Sequence, residues 1–162
     1  MGEENFIDFV KIQCRSGKGG AGAVHLRRAK YVPRGGPDGG DGGSGGSIYA
    51  VGNSQLWTLL HLRYKKHVFA GDGESGAKAN MSGGAGADQY IEVPLGTIIR
   101  DVETEKQLAE ITKNGQTVCL LQGGRGGKGN AFFKSSTHQT PRFAQSGEPG
   151  IESWLSFELK IL

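Results

Sequence analysis

The sequence predicts an all-β chain in which short strands alternate with excursions of packed, glycine-rich polyproline II-type backbone. Two observations predict it. Apolar and polar residues alternate with a period of two in several short segments, and no long segment carries the 3.6-residue apolar period of a helix. Glycine, 29 of 162 residues, recurs in rows at every third position.

The rows are clearest between Arg34 and Gly46, which reads RGGPDGGDGGSGG. Gly36, Gly39, Gly42 and Gly45 form one row; Gly40, Gly43 and Gly46 form a second. A polyproline II helix is left-handed, has three residues per turn and makes no internal hydrogen bonds, so each row lies along one edge and lets a neighbouring backbone approach. The period returns at Gly17/Gly20, Gly19/Gly22, Gly83/Gly86, Gly123/Gly126/Gly129 and Gly124/Gly127. Glycine-rich runs are ordinarily solvated linkers. Here the period repeats in separate places, strands flank the runs, and apolar segments alternate with them, which favours packing. Collagen is excluded, because only 5 Pro occur and the glycine register is never sustained. Bundled backbones must pair their N–H and C=O groups with one another. Asp38 and Asp41 are therefore expected to accept hydrogen bonds from neighbouring glycine segments, not to hold calcium. Thirteen such residues make a strut of about 40 Å.

Taken in order, residues 5–14 alternate with Val10, Ile12 and Cys14 on one side and read as a strand. Ala23–Arg28 and Ser47–Val51 are shorter candidates. Leu56–Tyr64 carries Leu59, Leu60 and Leu62, which a helix could also use, but is read as a strand or brief turn, since the run is short and Gly52-Asn53 precedes it. Gln89–Val93 is a strand stopped by Pro94. Thr97–Val102, Gln107–Ile111 and Gln116–Leu121 are expected to form a meander, with Asn114-Gly115 as a hairpin turn. Ser153–Ile161 alternates with Leu155, Phe157, Leu159 and Ile161 on one face. That strand runs to Leu162, so the chain reads as a piece of a longer protein.

A chain that is 36% hydrophobic suits one domain with a modest core. No stretch approaches the roughly 18 apolar residues of a membrane helix. The acidic N-terminus, MGEENFIDF, lacks a secretory pattern, so a cytoplasmic protein is expected. Cys14 and Cys119 lie in apolar runs and are expected as buried, reduced thiols. His25 and His61 are expected packed in or beside strands.

Several catalytic motifs fail on inspection. Gly17–Gly22 fits G-x-G-x-x-G, yet Pro33 and glycine follow where the helix and second strand of a dinucleotide site should stand. Gly127-Lys128 approaches a phosphate loop, but Gln122 occupies its first glycine position and Gly129 its Ser/Thr position. No triad, carboxylate pair or metal spacing emerges, so this chain is expected to be non-catalytic and to hold no cofactor.

Charge points to binding instead. The net charge is only +3, but the stretches from Phe9 to Pro37 and from Gln122 to Gly147 contain basic residues and no acid. Such asymmetry favours a polyanion. Arg27, Arg28, Lys30 and Arg34 surround Tyr31, Lys134 follows Phe132 and Phe133, and Arg142 precedes Phe143. Cations with aromatic neighbours suit irregular RNA, although Tyr31 and Phe143 could equally anchor long loops. The expected phosphate contacts are Arg27, Arg28, Lys30, Arg34, Lys78, Lys134 and Arg142, with Arg125 and Lys128 in support.

In order along the chain, YVPRGGPDGGDGGSGGS (31–47), LRYKKH (62–67), VPLGTIIRD (93–101), GGRGGKGNAFF (123–133) and PRFAQSGEPGI (141–151) resemble the N-terminal glycine-rich domain of the Obg family of GTPases. The resemblance spans essentially the whole chain. It implies a small β-barrel or sandwich carrying glycine-rich projections at about 15–46, 70–88 and 123–150, and a GTPase domain after 162 that binds GTP and Mg2+. It also implies work in assembly of the large ribosomal subunit, with the glycine-rich domain touching ribosomal RNA near the peptidyl-transferase region. Stress-response proteins linked to (p)ppGpp are implied partners, and the chain is expected to be a monomer. The alternative expectation is a protein–protein module that regulates the attached GTPase domain. Residues 74–86 carry Lys78 as their one basic side chain, fewer than this resemblance implies.

Overall fold

The computed structural model describes residues 6–27, 35–135 and 137–160, with only the backbone given for Phe6 and Ile7. Its strands are β1 (Phe6–Arg15), β2 (Ile48–Gly52), β3 (His67–Phe69), β4 (Gln89–Val93), β5 (Thr97–Asp101), β6 (Gln107–Ile111), β7 (Thr117–Leu121) and β8 (Glu152–Lys160). They form a five-stranded sheet in the order β3-β1-β8-β5-β6 and a three-stranded sheet in the order β4-β2-β7. Both sheets are mixed, because β3 joins β1 and β4 joins β2 in parallel while the remaining pairs are antiparallel. No barrel closes among the described residues; the all-β base takes the two-sheet form.

The alternating pattern of β1 and β8 has the expected outcome. Val10, Ile12 and Cys14 face Leu155, Phe157 and Leu159 in one core, which Ile48, Ala50, Ile91 and Val93 of the second sheet complete. Fully burying each large apolar side chain contributes about 1.5–3 kcal/mol. On β8, a central strand, Ser156 and Glu158 are buried as well, and Arg100 lies over Glu158 at 3.3 Å.

Three expectations change. The meander is broken: β5 and β6 pair as a hairpin, but β7 pairs with β2. The Asn114-Gly115 turn, with Gly115 at φ 81°, therefore carries the chain between sheets. Its Gly115 N–H donates to Gly52 O at 2.8 Å. Of the two options for Leu56–Tyr64, the strand fails and the brief turn holds, as the single-turn helix α1 (Leu60–Arg63). Leu59 and Leu62, three apart, both point into the core, and Asp8 Oδ2 accepts from the Leu59 N–H at 2.8 Å. Ala23–Arg28 is not a strand over its described part. Its sole bridge joins Leu26 to Pro37, because its N–H groups are spent within the glycine bundle. No helix among the described residues is long and apolar enough to cross a membrane.

Six strand ends feed that bundle. Segments 16–27, 35–47, 70–78, 81–88, 122–130 and 144–151 leave the sheets side by side and bond to one another with a period of three. Segment 35–47 is the hub. Gly40, Gly43 and Gly46 donate to the carbonyls of Ala77, Glu74 and Gly71, while Gly42 and Gly45 donate to those of Gly127 and Gly124. In return the carbonyls of Gly40, Gly43 and Gly46 accept from Ala23, Gly20 and Gly17. Gly83 and Gly86 donate to Asp41 and Ser44, and Gly19 and Gly22 donate to Glu148 and Gln145. This is the lateral pairing that a backbone without internal hydrogen bonds requires.

The glycine rows record these contacts. Side chains added at Gly39, Gly42 and Gly45 would lie closer than 3.0 Å to the carbonyls of Ala23, Gly20 and Gly17. At Gly123, Gly126 and Gly129 they would meet the carbonyls of Gly45, Gly42 and Gly39. Gly36 is the exception in its row, since among the described residues a Cβ there meets only the flexible Lys134 Nζ, at 3.4 Å. Among described residues the glycines at positive φ are Gly96 and Gly115, both in turns of the sheets. Bundle glycines are thus required for the missing side chain and not for an unusual backbone conformation.

Candidate nucleic-acid interface at the distal end of the bundle

Because every segment starts at a strand end, the connections between segments gather at the opposite end. Among the described residues they are the Arg27/Gly35 pair, where the Gly35 N–H donates to Arg27 O, the turn Lys78–Met81, and residues 131–135 and 137–143. Arg27, Lys78, Lys134 and Arg142 all flank these turns and all are exposed. Topology therefore assembles four of the expected phosphate contacts from three separate segments. Arg28, Lys30 and Arg34, with Tyr31, lie outside the described residues.

Polar side chains build this end. Asn130 is fully buried. Its Oδ1 accepts from the Gly39 N–H at 2.8 Å, and its Nδ2 donates to His25 O at 3.0 Å and Pro141 O at 2.9 Å. One amide thus ties four stretches of chain, a role its sequence position inside GKGNAFF does not announce. Asp38 is buried beside it. Its Oδ2 accepts from the Ala79 N–H at 3.1 Å and its carbonyl accepts from the Asn80 N–H at 2.7 Å. These bonds hold Ala79 and Asn80 at φ 58° and 56°, a left-handed pair that turns the chain. Asp41 Oδ1 accepts from the Gly129 N–H at 2.9 Å, so both aspartates play the expected acceptor role. No group of three or more potential metal ligands forms among the described residues.

His25 departs from expectation. It stands at the tip, away from any strand, and its Nδ1 donates to Asp38 Oδ1 at 2.5 Å. That bond and the Ala79 N–H hold the Asp38 carboxyl below the usual aspartate range. His25, Arg27, Asp38, Lys78, Ala79 and Asn80 line a cleft of about 420 Å3.

Arg125 and Lys128 lie lower on the shaft, beside a groove of about 670 Å3 that also includes Phe132, Gln145 and Glu148. Both are already paired. Arg125 Nη2 donates to Glu148 Oε1 at 2.8 Å, and Lys128 Nζ lies 3.4 Å from Asp41 Oδ2 and 5.3 Å from the centre of the Phe132 ring. A polyanion would have to displace a carboxylate at each. Phe143 packs on Phe133 and His138, with ring centres 4.9 Å and 5.5 Å apart. It anchors the long distal connection while remaining half exposed.

The glycine stretch that approaches a phosphate loop is committed elsewhere. Gly124, Gly127 and Asn130 donate their N–H groups to the carbonyls of Gly17, Gly20 and Ala23. No cradle of free N–H groups is left there for a nucleotide, so GTP and Mg2+ do not fit this segment.

Two predictions follow from the titratable groups. The Asp101 carboxyl is held below its usual range by Ser153 Oγ and the Thr104 N–H, Glu148 by Arg125, and Asp38 by His25. At Asp8, burial pushes upward, but Arg63 and the N–H groups of Leu59 and Phe9 outweigh it. A carboxyl with a depressed folded-state value stabilises the fold above its unfolded value, and that contribution is lost as pH falls through the folded value. Thermal melts should therefore hold their midpoint near neutrality and drop below about pH 4. Burial pushes the Cys14 thiol up to about 12, whereas Cys119, expected to be buried, is exposed on the outer face of β7. Iodoacetamide followed by peptide mass analysis should modify Cys119 and spare Cys14 until the chain unfolds.

A two-sheet base prolonged into a glycine bundle with a cationic end defines an all-β, Obg-type domain. The GTP1/OBG family model matches residues 7–161. The chain belongs to this family. It is 61% identical over 162 residues to GTPase Obg of Cytophaga hutchinsonii, covering 100% of this chain and 48% of the relative. With the proteins of the same name from Bacteroides thetaiotaomicron and Parabacteroides distasonis it is 58% and 55% identical, covering 42% of each. The chain thus spans about half the length, or less, of these relatives.

Proposed function

We propose that this chain is the non-catalytic, RNA-binding domain of a GTPase that acts on the large ribosomal subunit, its bundle reaching ribosomal RNA near the peptidyl-transferase region. The observation that carries this reading is the convergence of Arg27, Lys78, Lys134 and Arg142 on one end of a hydrogen-bonded glycine shaft. A stiff shaft keeps the ordering cost of binding low, and four charges that form no ion pair with a described residue suit closely spaced phosphates. GTP and Mg2+ belong to the remainder of a protein of the relatives' length, and (p)ppGpp-linked proteins are partners of that whole. Footprinting of large-subunit RNA with the chain at low and moderate salt tests the proposal. Protection confined to one RNA region and weakened by salt is expected; uniform or salt-insensitive protection overturns it.

A second reading, regulation by contact with the rest of the protein, has its own observation at the opposite pole. Trp57, Leu60 and Tyr64 are 83%, 55% and 86% exposed around α1. Asp8, paired in register with Leu159, anchors that helix through Leu59 and Arg63. The patch therefore borders the end of β8, where polypeptide following residue 162 would emerge. Changed GTP turnover in a full-length protein carrying Trp57→Ala and Tyr64→Ala would support this contact, and unchanged turnover would dismiss it.

A further inference from the structure

We propose that the distal cleft is a ribonucleotide subsite in which Arg27 and Lys78 hold a phosphate and His25 Nε2 accepts a hydrogen bond from the adjoining ribose 2′-hydroxyl. The proposal rests on the RNA-binding reading above and adds to it a means of telling RNA from DNA.

The charges come first. Unlike Arg125 and Lys128, neither Arg27 nor Lys78 forms an ion pair with a described residue, and both line the same cleft. Its volume of about 420 Å3 lies within the range of small-ligand sites. The one acid among the described residues of its wall is Asp38, and Asp38 is occupied: one oxygen takes the His25 ring, the other the Ala79 N–H. Its negative charge is thus spent on protein donors and offers the cleft no free acceptor.

The imidazole supplies the selectivity. An ionised carboxylate only accepts, so the Asp38 contact places the proton on Nδ1. In the neutral ring this leaves Nε2 as an acceptor, and Nε2 makes no hydrogen bond to a described residue. The ring is also held in place. His25 O accepts from the Asp38 N–H at 2.9 Å and from Asn130 Nδ2 at 3.0 Å, so the backbone that carries the ring is fixed, while Asp38 Oδ1 holds the ring itself. Among the described side chains lining the cleft, only Asn80 offers another neutral polar group. A fixed acceptor between two cations matches the junction of a phosphate and a hydroxyl donor. RNA presents that junction at each nucleotide, and DNA lacks the hydroxyl.

The test titrates the chain with a short single-stranded oligouridylate, its 2′-O-methyl counterpart and oligodeoxyuridylate, following fluorescence anisotropy. The expected result is about fivefold tighter binding of the ribose form than of either analogue, the scale of one hydrogen bond. His25→Ala should bring the three affinities together while leaving that for the deoxy form unchanged. Arg27→Gln with Lys78→Gln should weaken all three and keep their ratio. If the parent chain binds the ribose and 2′-O-methyl forms alike, the subsite is wrong while RNA binding stands. That comparison needs no variant, so it decides the matter even where His25→Ala loosens the tip. Retention of the full ratio by a folded His25→Ala chain also overturns the subsite. Failure to bind any of the three overturns the RNA-binding reading itself.

Discussion

Gly42→Ala is expected to lower the unfolding midpoint by about 10 °C, whereas Gly36→Ala should leave it within about 1 °C. Both glycines belong to one sequence row, and both changes add one methyl group. At Gly42 the new carbon would lie closer than 3.0 Å to the carbonyl carbon and oxygen of Gly20 and to Ala21 O. Those are backbone atoms of a segment held on its other sides by bonds from Gly73 and Gly76 to Lys18 O and Ala21 O. Neither chain can yield without breaking several bonds. Overpacking of this kind costs about 3 kcal/mol, and a chain of this length loses roughly 2–4 °C per kcal/mol. At Gly36 the only nearby atom among the described residues is Lys134 Nζ, at 3.4 Å, which can swing aside. Calorimetry of the two variants is the measurement. Equal midpoints would refute close backbone contact as the reason for the row.

The second large effect concerns binding. Replacing Arg27, Lys78, Lys134 and Arg142 together by glutamine should flatten the plot of log affinity against log salt by about three units. Each lost phosphate contact on single-stranded RNA removes about 0.7. Binding of large-subunit particles near physiological salt should become undetectable, with the thermal midpoint retained because all four side chains are exposed. The matched control is Arg125→Gln with Lys128→Gln. These cations already face Glu148 and Asp41, so their removal should change the slope by less than one unit. If the shaft pair matters as much as the tip four, the interface lies along the groove and the assignment to the distal end fails.

Much of this was legible in the residues. The period of three reports that a backbone must approach one edge, and the rows at Gly39/Gly42/Gly45 and Gly123/Gly126/Gly129 meet that demand atom for atom. Which backbone approaches was not legible, because every glycine row presents the same chemistry. Partnership is set by the order in which strand ends leave the sheets. The strands themselves followed alternation, but their pairing did not. Asn114-Gly115 carries the strongest local turn signal, yet β7 joins β2, since its apolar residues complete the second sheet. At the tip, basic residues were visible as charge. The His25–Asp38 pair and the buried Asn130 were hidden, because residues 13 and 91 or more positions apart meet only after the segments are laid side by side.

The bundle joins the first segment to the last: the Ser16 N–H donates to Ile151 O and the Gly19 N–H to Glu148 O. During synthesis, the early glycines therefore emerge long before their partners exist. At roughly 5–20 residues per second, Ser16, Gly19 and Gly22 wait seconds for their acceptors in the 144–151 stretch, while Gly17, Gly20 and Ala23 meet theirs at 40–46 sooner. Loop closure over that span precedes any gain from the contacts it permits. The seam between the first and last segments is accordingly the last part of the bundle to close, and a nascent chain halted before residue 144 should remain sensitive to protease along residues 16–22.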